Sequence, residues 1–264
     1  MNPETKVKQT LSKIKINKKE NLIIALSGGK DSAVVAFILK KLGYNISGLH
    51  INLYVGEYSK TCQKKVQELC NKLEIELNIY DLKKQQGKTM KQIWKKNKNL
   101  NHCSACGVIK KYVLNKQARK LNAKKIITGH NLDDEIQTFL LNIFKGSPEL
   151  SSNTGVITDN IQDKKFIPRI KPLFYIEEKE ILNYAKKNKI PFIQGKCPFA
   201  EISYRIEIRD FLKKLNSKEK NNIINNFKNL KPELNKIKNQ KKNYCEICKE
   251  PCRGRICKKC RLFN

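Results

Sequence analysis

The stretch Asn21-Leu22-Ile23-Ile24-Ala25-Leu26-Ser27-Gly28-Gly29-Lys30-Asp31-Ser32-Ala33 decides the fold. The apolar run Asn21 to Leu26 reads as a buried strand, and the apolar run Ala33 to Leu42, closed by Gly43, reads as a helix. A glycine pair between them makes a phosphate-binding turn. Glycine admits positive φ and brings backbone N–H groups close to an anion, and the helix that follows points its positive end at the same place. The longer GxxxxGK[ST] pattern of γ-phosphate-transferring loops is missing. Ser27, Gly28, Gly29, Lys30, Asp31 and Ser32 are therefore the candidate nucleotide-binding residues, against the bland alternative of an ordinary Gly-Gly turn.

Further strand-like runs follow at Ile46 to Leu53, Ile75 to Leu82 and Lys125 to Thr128, alternating with helical patterns or loops. That alternation predicts an α/β fold, a Rossmann-like parallel sheet with helices on both faces. In the helix expected over Cys62 to Leu73, Val66, Leu69, Cys70 and Leu73 share one face, so Cys70 reads as core, and Cys62 is given the same reading. Lys83 to Asn101 is expected to be a surface insertion in which packing holds Trp94, and Ser147 to Lys164 a polar loop of the kind that covers active sites. The organisation expected is a main domain over 1–215, a basic helical linker over 216–244 and a small ribbon over 245–264.

The 264 residues carry 55 Lys and Arg against 24 Asp and Glu, a net charge of +31. Charge of that size implies a polyanionic partner, nucleic acid before any other. Met1 to Lys19 has no apolar signal core and no run is long enough to span a membrane, which points to the cytoplasm. In a reducing compartment clustered cysteines are metal ligands or reactive groups before they are disulfides. Ten cysteines are present, five of them in the last twenty residues.

Cys245, Cys248, Cys257 and Cys260 form two CxxC pairs separated by eight residues, with Cys252 between them. Two such knuckles supply four thiolates to Zn²⁺, and so small a segment has too little core to fold without the metal. Cys252 as a replacement ligand is the alternative. The pair Cys103 and Cys106 is different, because only two thiolates are local. Cys197, on a loop punctuated by Gly195 and Pro198, is the candidate third. Three thiolates suit an iron–sulfur cluster with one open iron, or else a persulfide pair resolved by Cys197. His102 is read as capping the loop or adding a ligand. Gly129-His130-Asn131-Leu132-Asp133-Asp134-Glu135 leaves the strand ending at Thr128 and enters a helix expected over Ile136 to Phe144. Acidic residues there can hold Mg²⁺ against ATP phosphates or simply cap the helix.

The loop at Ser27 matches the SGGxDS loop of the PP-loop ATP pyrophosphatases. Together with CSACG at Cys103, GHNLDDE at Gly129, IKPL at Ile170, EKEI at Glu178, CPF at Cys197 and the paired CxxC tail, the chain closely resembles the TtuA-type tRNA 2-thiolation enzymes. These are related to the TtcA 2-thiocytidine enzymes and the cytosolic wobble-uridine thiolases. The resemblance covers nearly the whole chain. It implies that ATP with Mg²⁺ adenylates the C2 oxygen of a tRNA uridine or ribothymidine and that sulfur displaces AMP. It further implies that Cys103, Cys106 and Cys197 hold a [4Fe-4S] cluster whose unique iron carries sulfide, that Lys30 and Lys110 offset phosphate charge, and that Asp133 or Asp134 orients Mg²⁺ or substrate. His50 and Gly129 are placed with the nucleotide-binding residues. Relatives take sulfur from a ubiquitin-like thiocarboxylate or from free sulfide, and are often homodimers. Many carry an N-terminal zinc finger as well, whereas Met1 to Glu20 contains neither Cys nor His. The competing readings are a 2-thiocytidine or 4-thiouridine synthetase of the same class, and a tRNA-binding module without turnover.

Overall fold

The structure, a computed structural model, describes residues 2–158, 163–195, 197–199, 204–236, 243–252 and 254–264. Helix α1 (Pro3–Lys13) opens the chain, capped by the Asn2 side chain and packed through Val7 and Leu11. Then come β1 (Leu22–Ala25), α2 (Lys30–Lys41), β2 (Ile46–Asn52), α3 (Glu57–Leu73), β3 (Leu77–Asp81), α4 (Leu82–Gln86), α5 (Met90–Lys96), α6 (His102–Lys120), β4 (Lys125–Ile127) and α7 (Leu132–Phe144). A 3-10 helix (Pro148–Asn153) leads to β5 (Ile157–Thr158) and β6 (Arg169–Ile170), followed by α8 (Glu178–Lys187), α9 (Tyr204–Lys214) and α10 (Ser217–Lys236). A hairpin of β7 (Asn243–Tyr244) and β8 (Pro251–Cys252) and the short α11 (Lys258–Phe263) end it.

The main sheet runs β3-β2-β1-β4-β6-β5. All neighbours are parallel except β5, which pairs antiparallel with β6 at the edge. Strand order reverses between β1 and β4, and ligands of such sheets bind in the crevice beyond the carboxyl ends of the strands at that switch. The loop after β1 is the Ser27–Ser32 turn, and the loop after β4 begins at Gly129. A Cβ on Gly129 would lie 2.6 Å from Ser32 N and 2.7 Å from the Asp31 carbonyl carbon. Only glycine lets the two loops meet there.

All four strands expected from the sequence are present, shortened by a residue or two at their ends, and the helices α2, α3 and α7 start earlier than their apolar runs, with polar first turns, α7 capped by Asn131. Three expectations are corrected. The expected surface insertion over 83–101 contains α5, whose Met90, Ile93 and Trp94 are buried against the sheet face that also takes α6. The expected polar loop over 147–164 carries the 3-10 helix and β5, while 159–162 lies outside the described residues. The expected linker is largely α10, a packed helix. Its Ile224 and Phe227 are 1% and 2% exposed against α7, and burial of each contributes roughly 1.5–3 kcal/mol, enough to dock the helix despite its lysines.

Candidate active site and metal centres

The glycine turn is built by its own serines. The Ser32 hydroxyl donates to the Gly29 carbonyl at 3.0 Å and accepts from the Ser27 N–H at 3.3 Å, while Ser27 Oγ accepts the Gly29 N–H at 3.3 Å. Gly28 sits at φ +87°, and a Cβ there would stand 2.9 Å from the Cα of Cys62. Gly29 caps α2 without a side-chain hydrogen bond, so the first-turn N–H groups are left to an anion.

Behind the turn lies a set of paired charges. Lys30 Nζ donates to Glu178 Oε1 at 2.7 Å and to Asp31 Oδ2 at 3.1 Å. Burial alone would pull the Lys30 ammonium down, but Asp31 and Glu178 outweigh it and hold it above its ordinary range. Lys30, expected to offset phosphate charge, is thus paired with Glu178 of α8. Asp31 accepts from Asn131 Nδ2 at 3.1 Å, and its carboxyl is raised first by burial and then by Asp134, against the pull of Lys30. Asp134 is raised by burial too, although the Asn131 N–H stabilises its charge. Asn131 ties the two carboxylates together, donating from Nδ2 to Asp31 and from its backbone N–H to Asp134. Asp133 turns elsewhere, taking the Glu178 N–H at 2.7 Å and the Lys220 ammonium at 2.7 Å. Lys220 also reaches Glu177 at 3.1 Å, so a lysine from α10 locks α7 to α8. EKEI at Glu178 is singled out in the sequence, but nothing local there signals Lys220 as a member of this set. His130 lies at the surface with Nδ1 3.0 Å from Thr128 Oγ1, and the buried Lys171–Glu135 pair at 2.5 Å ties the IKPL segment to α7.

Beside the glycine turn a chamber of about 160 Å³ is lined by Ser27, His50, Cys62, Cys106, Lys110 and Cys197 among others. Cys106 lies on the first turns of α6, its thiol pushed up to about 11 by burial, with Lys110 opposing and Cys197 and Cys103 both close enough to add to the rise. Cys103, one turn before it, is exposed. The loop bearing Cys197 is brought to α6 by an aromatic stack: Trp94 packs on His102 at 4.6 Å and on Phe199 at 4.7 Å between ring centroids. Trp94 is the packed anchor expected. The cap of α6 is the Asn101 side chain, which accepts from the Ser104 N–H, and not His102. Cys106 and Cys197 line the same chamber and Cys103 lies one helical turn from Cys106, thiols from two elements of the kind that can stand on different irons of a cluster. His50 is 3% exposed; its Nδ1 lies 2.9 Å from the Leu26 carbonyl oxygen, which can only accept, so Nδ1 carries the proton and Nε2 is left without a partner.

At the C-terminus the sulfurs of Cys245, Cys248, Cys257 and Cys260 all lie within 4.8 Å of one another, Cys248 and Cys257 at 3.6 Å. Tetrahedral Zn²⁺ with Zn–S near 2.3 Å sets its sulfurs about 3.8 Å apart, so the set fits. The Cys257 N–H donates to the Cys245 sulfur and the Cys260 N–H to the Cys257 sulfur, both at 3.3 Å. Burial pushes the Cys245 thiol up, but backbone N–H donors led by Cys248 outweigh it and bring it to about 6. Cys252 stands outside, its thiol donating to the Gly254 carbonyl at 2.7 Å. The ribbon is docked on the main body: Leu262 is buried against α5 and α6, Lys88 Nζ donates to the Phe263 carbonyl at 2.6 Å, and Arg119 pairs with Glu250.

Residues 2–219 match the family described as the PP-loop domain. The chain belongs to the PP-loop family. This PP-loop protein is 35% identical over 269 residues to the tRNA-5-methyluridine(54) 2-sulfurtransferase of Pyrococcus horikoshii, covering 99% of this chain and 84% of the relative. It is 30% identical over 271 residues to cytoplasmic tRNA 2-thiolation protein 1 of Aspergillus niger, covering 99% and 79%. Among solved structures, the U34-tRNA thiolase NcsA from Methanococcus maripaludis with its [4Fe-4S] cluster superposes with a TM-score of 0.80 at 28% identity, covering 93% of this chain and 82% of that one. No described helix of this PP-loop protein is long and apolar enough to cross a membrane.

Proposed function

We propose that this protein is an ATP-dependent tRNA 2-thiouridine synthetase, acting on a uridine or ribothymidine in the cytoplasm. The observation that carries the proposal is the single chamber walled by Ser27 of the glycine turn on one side and by Cys106 and Cys197 on the other. A nucleotide site and a thiol site that share a wall can activate an oxygen and replace it with sulfur without moving the substrate.

In this reading the turn and the open N-terminus of α2 bind the ATP phosphates. Asp31 and Asp134, both held by Asn131, would hold Mg²⁺ against them, while Asp133 is already committed to Lys220 and serves the architecture. The uridine C2 oxygen attacks the α-phosphorus, pyrophosphate leaves, and sulfur then takes C2 as AMP departs with the oxygen. Lys110, the chamber's cation, stabilises charge on the departing phosphate. Cys103, Cys106 and Cys197 would hold a [4Fe-4S] cluster, which when bound supplies an iron site for sulfide. Zn²⁺ in the four-cysteine ribbon holds a basic surface beside α6, where Lys258, Lys259 and Arg261 would meet tRNA phosphate.

The test is to incubate anaerobically reconstituted protein with tRNA, ATP and sulfide, digest the tRNA and map thionucleosides by mass spectrometry. A 2-thiouridine-type product with stoichiometric AMP supports the proposal. 2-thiocytidine or 4-thiouridine moves the protein to another substrate of its class, and binding of tRNA without AMP release reduces it to a binding module. The mapped position separates the T-loop from the wobble base. Replacing sulfide by a thiocarboxylated ubiquitin-like protein identifies the donor, and sedimentation tests the homodimer.

A further inference from the structure

The chamber contains a thiol that neither the nucleotide turn nor the three-cysteine set employs. Cys62, on α3, is 4% exposed and lies directly under Gly28 of the turn. Tyr58, one helical turn earlier, lines the same chamber, as do Cys197 and Lys110. Cys70, two turns further along the same helix, provides the contrast. It is packed among Val66, Leu69 and Leu73, and burial alone acts on its thiol. Both cysteines of α3 are buried, as expected from the sequence, but Cys62 also lines the chamber.

A second observation shows that the chamber is shaped for an occupant. His50, also nearly fully buried, lines it with an unpartnered Nε2 whose tautomer is set by the bond to Leu26. Buried polar atoms in native structures are ordinarily satisfied, so this Nε2 calls for a partner in the chamber, a ligand or an ordered water. At about 160 Å³ the chamber has several times a water's share of volume, so it is not closed by packing.

We propose that Cys62 is a fourth, exchangeable sulfur ligand of the cluster held by Cys103, Cys106 and Cys197, capping the iron that those three leave open until sulfide takes its place. The inference rests on the cluster assigned under the proposed function. Three protein thiolates leave one iron to solvent, and a thiol in the same chamber, on the side nearest the glycine turn, is placed to cover it. The exchange balances without an oxidant: hydrogen sulfide gives one proton to the Cys62 sulfur as it takes the iron, and no electrons move. The Tyr58 hydroxyl then donates to the released sulfur and keeps it in place for return. Capping protects the cluster between turnovers, and release beside the turn puts the sulfide where AMP leaves.

The experiment uses the full chain and its Cys62→Ala and Cys62→Ser variants, each reconstituted anaerobically with iron and sulfide, then desalted. Loss of the fourth iron on ferricyanide oxidation is followed by the electron paramagnetic resonance signal of a three-iron cluster. That signal is expected at least tenfold faster in Cys62→Ala than in the wild type. The reduced-cluster spectra of the two are expected to differ without sulfide and to converge once sulfide is added. Equal rates within twofold, with identical spectra before sulfide, overturn the proposal. Cys197→Ala separates the two readings. If it loses its iron while Cys62→Ala behaves as wild type, only the capping role fails; if it retains all its iron, or the wild type takes up none, the cluster reading fails and the capping role with it. Should Cys62→Ala not fold, Cys62→Ser carries the same comparison, since it keeps nearly all the volume under Gly28.

Discussion

Gly129→Ala tests whether the two loops at the switch of the sheet must touch for the nucleotide site to work. The added methyl would stand 2.6 Å from Ser32 N and 2.7 Å from the Asp31 carbonyl carbon, whereas ordinary contact begins near 3.4 Å, so the loops must part by about 0.8 Å. Both obstructing atoms are backbone, and no side chain can rotate out of the way. Overpacking of this kind costs about 1–3 kcal/mol, well below the roughly 5–15 kcal/mol that holds a domain folded. The protein should therefore remain folded, with a modest loss in the urea midpoint. Catalysis is less forgiving, because a displacement near 1 Å between reacting groups costs up to about a hundredfold. Asp31 sits on one loop and Asp134 follows the other, so the separation moves the proposed Mg²⁺ ligands apart. AMP formation with tRNA should fall about ten- to a hundredfold, equivalent to roughly 1.4–2.7 kcal/mol of barrier. Calorimetric titration with ATP should show weakened binding in the same variant. AMP formation within twofold of wild type, in a protein with a lowered urea midpoint, would refute the reasoning.

Lys220→Ala leaves Asp133 and Glu177 without the ammonium that joins them, and removing one partner from a buried set should cost about 3 kcal/mol in urea denaturation, with Lys220→Arg recovering part of it. His50 is held neutral by burial, with its pKa below the ordinary 6.5. Its folded-state pKa being depressed, the unfolded chain binds the extra proton first, so His50 contributes stability above 6.5 that is lost as pH falls beneath it. The urea midpoint should drop between pH 7 and pH 5.5, and the drop should be smaller in His50→Gln; equal slopes would remove His50 as the cause. Cys252→Ser should retain one zinc per chain by metal analysis, whereas Cys257→Ser should lose it and release the ribbon to protease, and loss of zinc from Cys252→Ser would mean that the ligand set is wrong.

Much of the site was readable before any tertiary structure. The glycine turn, the strand before it and the helix after it are written in adjacent residues, because backbone conformation and helix capping depend on neighbours a few positions away. The four-thiolate ribbon was equally legible, since CxxC spacing alone brings two sulfurs together and the two knuckles lie close in the chain. The alternation of apolar runs was enough for a parallel sheet. Where the reading failed, it failed on residues whose neighbours are distant in sequence. Lys and Gln around Trp94 disguised a helix whose apolar side is buried, and the lysine-rich composition of α10 hid the docking of Ile224 and Phe227.

By itself, then, the amino-acid sequence determined the fold class, the glycine turn and the grouping of the four C-terminal cysteines, all features that short-range geometry enforces. Tertiary structure alone decided which charges are free. Lys30 is neutralised by Glu178, 148 residues away, and Asp133 is taken by Lys220 from another helix. It also separated two cysteines of one helix, sending Cys70 into the core and Cys62 into the chamber beneath Gly28. Helical periodicity says which residues share a face, but strand order and the crossing of the connections decide what that face meets.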